Sequence, residues 1–315
     1  MTIKVPKKWF VIVLLFGAIA ITSIILLMMQ PKAMNQSVLP EQIKMGKVTL
    51  LVKSIAEMKK FYADTIGLTI HSEKSESTIL GDVVNEIIEL KERGDLPLSS
   101  SRDAGLYHTA ILFDSRATLA KTLVKVISTY PKYFQGTADH KVSEAFYFSD
   151  PEGNGVELYF DKPKETWQWQ DGSIVMGSEY IDPLQYIERY ENSEVTTNAI
   201  QVGHVHLRVG NIAEAKQFYN EILGFNMTAE MPTALFMSKN KYHHHLGMNV
   251  WESNGAPKVR KTLGLEKFEI LMNKEALKEA IEILKQKSIP FTQQNNEVLI
   301  SDPWGTVIVL RESVL

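Results

Sequence analysis

Residues 46–52 (GKVTLLV) alternate apolar and polar side chains and are rich in β-branched types, a pattern that predicts a strand. Residues 55–66 then place Met58, Phe61, Tyr62 and Ile66 on one face, predicting a helix that Gly67 ends. NEIIELKE (85–92) predicts a closing strand. A second round begins with a strand at 105–113 (GLYHTAILF) and a helix from about 116 to 130. It closes with a hairpin at 144–160 whose turn, Asp150-Pro-Glu-Gly-Asn-Gly155, is rich in turn-forming residues. A third round runs from Gly203 through YHHHLGMNVW (242–251). A fourth has a strand at 264–272, a helix at 274–287 and a closing segment at 298–312. Each round reads as a βαβββ-like unit, so the expected class is α+β with four tandem modules.

The rounds are related in pairs. MGKVTLLVKSIAEMKKFYADTIGLTI (45–70) and VGHVHLRVGNIAEAKQFYNEILGFNM (202–227) align without a gap at an offset of 157 residues. GLYHTAILF aligns with GLEKFEILM, and SDPEGNGVELYF (149–160) with SDPWGTVIVLRE (301–312). The chain is therefore a duplication, with halves at 45–160 and 201–315 joined by a non-repeating connection, 161–200. A connection of that length has a topological or covering task. Residues 30–44, with Pro31 and Pro40, read as a tether.

Residues 9–29 carry no charge over 21 positions, roughly 30 Å of helix and one bilayer core. Lys4, Lys7 and Lys8 precede the span and Lys32 follows it. The expectation is an uncleaved single-pass anchor, with residues 1–29 as cytoplasmic tip and anchor and the later domains outside. A cleaved signal peptide is the alternative.

Composition narrows the chemistry. With no cysteine, disulfides and thiolate sites are excluded, and any metal must sit on His, Asp, Glu or Tyr. A net charge of −3 gives no case for nucleic acid. At matched positions the polar residue changes between copies: Lys47 against His204, His108 against Lys267, Glu157 against Val309. Units two and three hold imidazoles and a carboxylate where units one and four hold ammonium groups or an aliphatic side chain.

GLYHTAILF, DHKVSEAFYFSDPEGNGVELY (139–159), GHVHLRV and YHHHLGMN together resemble the vicinal oxygen chelate superfamily, which includes glyoxalases and extradiol dioxygenases. The resemblance spans nearly all of 45–312 and extends to two-domain bacterial catechol-2,3-dioxygenase-like proteins. It implies βαβββ modules paired into open cups, with metal ligands on the first and last strands of each module. Carried over, the first-strand positions are Lys47, His108, His204 and Lys267. The last-strand positions are Glu89, Glu157, one of His243, His244 and His245, and Val309. Strand alternation would put His243 and His245 on one face, and His245 is preferred. If each half closes on itself, two partial sites result. If unit two pairs with unit three, His108, Glu157, His204 and His245 converge, and the chemistry of a 2-His-1-carboxylate set favours that arrangement. Glu89 is expected to be a solvated strand residue, and units one and four to form a structural cup.

The resemblance further implies a divalent metal, Fe(II) first, with Mn, Ni or Zn as alternatives. His140 and Tyr147 take the positions of the family's catalytic histidine and tyrosine. The implied activity is extradiol cleavage of a small catechol-like aromatic by O2. A glyoxalase-like isomerase or lyase, or a non-catalytic small-molecule-binding protein at a membrane surface, are the competing readings.

Overall fold

The computed structural model describes residues 37–195, 199–257 and 261–314. The first module consists of β1 (Lys44–Val52), α1 (Ile55–Lys59), β2 (Thr69–Lys74), β3 (Ser77–Gly81) and β4 (Glu86–Glu92). The second has β5 (Gly105–Phe113), α2 (Arg116–Thr129), β6 (Phe134–Asp139), β7 (Ser143–Ser149) and β8 (Gly155–Asp161). The connection adds a small hairpin, β9 (Trp169–Gln170) and β10 (Ser173–Ile174), and α3 (Pro183–Tyr190). The third module is β11 (Ile200–Arg208), α4 (Ile212–Lys216), β12 (Asn226–Met231), β13 (Ala234–Ser238) and β14 (Leu246–Asn249). The fourth is β15 (Gly264–Met272), α5 (Lys274–Gln286), β16 (Thr292–Gln294), β17 (Glu297–Ser301) and β18 (Val307–Glu312).

Two eight-stranded sheets result, and each takes one module from each half of the sequence. One runs β16-β17-β18-β15-β1-β4-β3-β2, joining modules one and four. The other runs β12-β13-β14-β11-β5-β8-β7-β6, joining modules two and three. Antiparallel seams close both: β1 against β15 with Val48 opposite Phe268, and β11 against β5 with Val205 opposite Thr109. The sequence halves are thus not separate cups. Each sheet is an exchange product of the duplication.

The helix expected at 55–66 is a short α-helix that widens. Ser54 caps α1, accepting from the Glu57 N–H. Beyond Lys59 the bonds change to a five-residue step, with the Ile66 N–H donating to the Phe61 carbonyl at 3.0 Å. Consecutive Phe61 and Tyr62 are both fully buried in this wider turn. Module three repeats the device, with Leu223 donating to Phe218 at 2.9 Å and Asn211 as the cap. The buried hydroxyls tie modules together: Tyr62 donates to Asp150 and Tyr219 to Asp302, each at 2.9 Å. Asp150 and Asp302 head the Asp-Pro turns of modules two and four, so each half of the chain bridges both sheets. One apolar cluster includes Met58, Leu119, Phe148, Val205, Phe268 and Leu284, all wholly buried.

The connection 161–200 covers an edge. Glu179 bridges Asp139 at the end of β6, and the Thr137 hydroxyl donates to the Ile181 carbonyl at 2.7 Å.

The membrane placement expected from 9–29 is set aside. Among the described residues no helix is long and apolar enough to cross a membrane, and 9–29 itself lies outside them.

Candidate metal centre

The centre of the second sheet is built on three adjacent strands. His204 on β11 lies opposite Ala110 on β5, and Ala110 in turn lies beside Glu157 on β8. The small alanine lets the long side chains of its two neighbours approach over it. His108, two residues before Ala110, shares that strand face. Glu157 Oε2 is 3.0 Å from His108 Nε2 and 3.1 Å from His204 Nε2, and the two imidazole nitrogens are 3.4 Å apart. All three side chains are buried. An ion about 2.1 Å from each of three donors at right angles needs them about 3 Å from one another, so the spacing suits one divalent cation. Among the described residues His204 Nδ1 has no hydrogen-bond partner, which leaves the ring committed through Nε2 alone.

Electrostatics agree with a donor set waiting for a cation. Burial pushes His204 down to about 4, against the pull of Glu157, so the ring is neutral at pH 7. Burial would raise the Glu157 carboxyl, yet His204 and His108 beside it hold it well below the usual carboxylate range. A carboxylate beside a neutral His204 is the protonation state a metal requires.

Two glycines make the room. A Cβ at Gly203 would lie 1.7 Å from the Tyr159 hydroxyl, and one at Gly247 would lie 2.7 Å from the ring of His206. Gly247 pairs with His206 across β11 and β14 and therefore holds the last-strand position of module three. That position was expected to be a histidine of the triplet. The triplet instead precedes β14 in a loop, where strand alternation does not operate. His245 is not in the cluster: its Nδ1 accepts the Lys239 N–H at 3.1 Å. The converged set has three donors, His108, Glu157 and His204, and no fourth from the triplet.

His140 and Tyr147 lie beside this set. The His140 Nδ1–H donates to the Gly177 carbonyl at 2.6 Å, so its Nε2 accepts from the Tyr147 hydroxyl at 2.7 Å. Gly177 belongs to the connection, which thereby orients the imidazole. Tyr147 pairs with Glu157 across β7 and β8, and its ring is 5.6 Å from that of His108. Burial and the Glu157 charge push its hydroxyl well above the ordinary tyrosine range, so it remains a proton donor.

Two further histidines flank the set: His206, which the GHVHL alternation places on the face of His204, and His244, the member of the triplet that the sequence reading did not prefer. His206 shares the strand face of His204 and accepts from the Asn249 amide at 3.0 Å. The His244 ring centroid is 4.1 Å from that of His204 and 5.1 Å from that of Phe236. Tyr107 and the half-exposed Trp251 meet edge to face at 5.3 Å and both contact His206. Nothing in the pattern singles out the middle histidine of a loop triplet.

The first sheet carries a different cluster at the matching place. The Lys47 ammonium is 2.8 Å from Glu86, 3.8 Å from Glu89 and 3.9 Å from Glu269, and Arg311 reaches Glu269 at 3.3 Å. Glu89 is thus mostly buried within an ion-pair cluster and not a solvated strand residue.

The Glyoxalase/Bleomycin resistance protein/Dioxygenase superfamily model matches residues 44–158 and 201–309. A catechol-2,3-dioxygenase of Bacillus subtilis (strain 168) is 32% identical over 272 residues, covering 84% of this chain and 95% of that protein. Among solved structures, glyoxalase I from Zea mays superposes with a TM-score of 0.51 at 15% identity, covering 86% of this chain and 92% of the other. A Bacillus subtilis protein described as a candidate dioxygenase gives 0.57 at 12% identity, covering 85% and 84%. The chain belongs to the Glyoxalase/Bleomycin resistance protein/Dioxygenase superfamily.

Proposed function

We propose that this member of the superfamily is an extradiol dioxygenase that opens the ring of a small catechol-like aromatic with O2. His108, Glu157 and His204 would hold one divalent metal, Fe(II) in the first instance. The observation that carries the reading is the donor set: two imidazoles and one carboxylate at mutual distances of 3.0 to 3.4 Å, with no fourth protein donor among the described residues. Three donors on one side match the open facial arrangement of non-haem Fe(II) oxygenases, and a fourth would have favoured an isomerase. The similarity to a catechol-2,3-dioxygenase supports the same direction.

When bound, the metal would supply Lewis acidity and a path for electrons between the ring and dioxygen. The residues of the chain handle position and protons. Glu157 contributes the only negative charge in the donor set. Tyr147 gives its one hydroxyl proton to His140 and stays protonated, so its oxygen would accept from a substrate hydroxyl. His244, against His204, is placed to accept a proton from a substrate hydroxyl. Phe236, Tyr107 and Trp251 give the surroundings of His206 an aromatic wall that suits a flat ring.

The test is oxygen uptake. The full chain reconstituted with ferrous ion should consume O2 on addition of catechol, one molecule per ring opened, with both oxygen atoms in the product. Firm metal binding with no uptake on any of a panel of substituted catechols would reject the reading.

A further inference from the structure

A line of polar groups, buried except at Asp161, runs beside the donor set without joining it. Asp161, the last residue of β8, lies four positions after Glu157. Its Oδ2 accepts from the Tyr242 hydroxyl at 2.7 Å, and the Tyr242 and Tyr159 hydroxyls are 2.8 Å apart. Its Oδ1 is 2.8 Å from His243 Nε2. His243 is fully buried, and its Nδ1 lies 2.8 Å from Nδ1 of His244. The His244 Nε2 has no hydrogen-bond partner among the described residues.

For an ionised Asp161 and two neutral rings, these contacts fix where the protons sit. An ionised carboxylate only accepts, so the His243 Nε2 must be the donor to Asp161. A neutral imidazole with its proton on Nε2 has a lone pair on Nδ1. Two ring nitrogens 2.8 Å apart need one proton between them, and His244 must therefore supply it from its own Nδ1. The Nε2 of His244 is then a bare lone pair on a ring packed against His204 and Phe236.

We infer that Asp161, acting through His243, locks His244 in the Nδ1–H tautomer and so keeps its Nε2 free as a proton acceptor in the cup. Asp161 and His243 are positioning residues. The use of that lone pair, to take a hydroxyl proton from the substrate, rests on the proposed dioxygenase reading; the tautomer itself does not. The reverse arrangement, with His244 protonated on Nε2, would present the substrate with a donor and could not accept that proton.

Two-bond 1H–15N correlation spectra of the full, metal-free chain labelled at histidine read the tautomers directly. His243→Gln and His244→Gln assign the signals. The parent should show His243 protonated on Nε2 and His244 on Nδ1. Asp161→Asn can donate its amide to His243, which should reverse both rings. Asp161→Glu should restore the parent pattern. Tyr242→Phe, which removes the other partner of Asp161, should leave it unchanged. Once metal is restored, Asp161→Asn should lower kcat at least 10-fold with metal content and KM nearly unchanged. A parent His244 protonated on Nε2, or an unaltered His244 in Asp161→Asn, would overturn the inference. If the tautomers behave as stated while the parent consumes no oxygen, the dioxygenase reading falls and the tautomer lock stands.

Discussion

The two sheets share one ancestry and one topology but solve the same electrostatic problem in opposite ways. In the sheet of modules two and three, a buried carboxylate faces two imidazoles, and among the described residues no ammonium or guanidinium group pairs with it. In the sheet of modules one and four, the chain brings its own cation, with Lys47 among Glu86, Glu89 and Glu269 and Arg311 beside them. Four matched positions carry the change: His204 becomes Lys47, His108 becomes Lys267, Ala110 becomes Glu269, and Glu157 becomes Val309. The carboxylate has moved one strand across, from β8 to β15, and the ligand imidazole has become a tethered ammonium. A buried charge must be compensated. One cup therefore has a place for a metal, and the other is already neutralised from within.

The sharpest way to break this comparison is to remove the last-strand carboxylate from each cup. Glu157→Ala should abolish stoichiometric metal binding and with it catechol-dependent oxygen uptake, whereas Glu89→Ala should leave the metal content of the chain unchanged. Elemental analysis of the two purified variants beside the parent checks both halves of the statement.

The next effect separates donor from proton-handling residue within the second sheet. His140→Asn should retain metal and slow turnover by roughly 10²–10⁴-fold, the range expected for a positioned acid–base group or the partner that orients one. Metal loss in that variant would make His140 a ligand.

In the first sheet the expected cost is stability. Lys47→Met leaves Glu269 deeply buried with only Arg311 nearby, and should destabilise the fold by about 3 kcal/mol at pH 7 in urea unfolding. Burial already pushes the Glu269 carboxyl up. Its protonation removes the uncompensated charge, so the deficit should shrink as the pH falls.

A smaller effect concerns the tie between the sheets. Burial raises Asp150 to about 6 from an ordinary 3.8. The folded chain then holds this proton more tightly than the unfolded chain. Its contribution to stability is fully present below about pH 4 and is lost as the pH rises through about 6. Asp150→Asn should flatten that part of the stability profile, by about 1–3 kcal/mol between pH 4 and pH 7. An unchanged slope would mean that Asp150 titrates normally.

Much of this was legible in the sequence. The 157-residue offset and the βαβββ order are local patterns, and first-strand histidines and the closing-strand glutamate stand out because their duplicate copies lost them. The pairing of modules was legible only through the chemistry of the converged donor set, and not from the strand pattern. β5 can close against β11 or against β1 with similar alternation, and the choice depends on contacts far apart in the chain, such as Tyr62 with Asp150. The loop triplet misled because His243–His245 reads as strand until Leu246 is known to begin β14. Gly247, whose missing Cβ admits the His206 ring, was the true last-strand position, and an absent side chain leaves no chemical signal. Glu269 was hidden as an ordinary polar position in a strand, although with Lys47 it defines the other cup. The membrane placement rested on 9–29 alone, and the described helices offer it no support.

The central claim is that one cup holds a cation and the other does not. Anomalous diffraction at the iron edge, on crystals of the full chain grown with ferrous ion under anaerobic conditions, measures this directly. The expected result is a single peak bounded by His108, Glu157 and His204, with none near Lys47. A peak among Glu86, Glu89 and Glu269, or none beside Glu157, would contradict it.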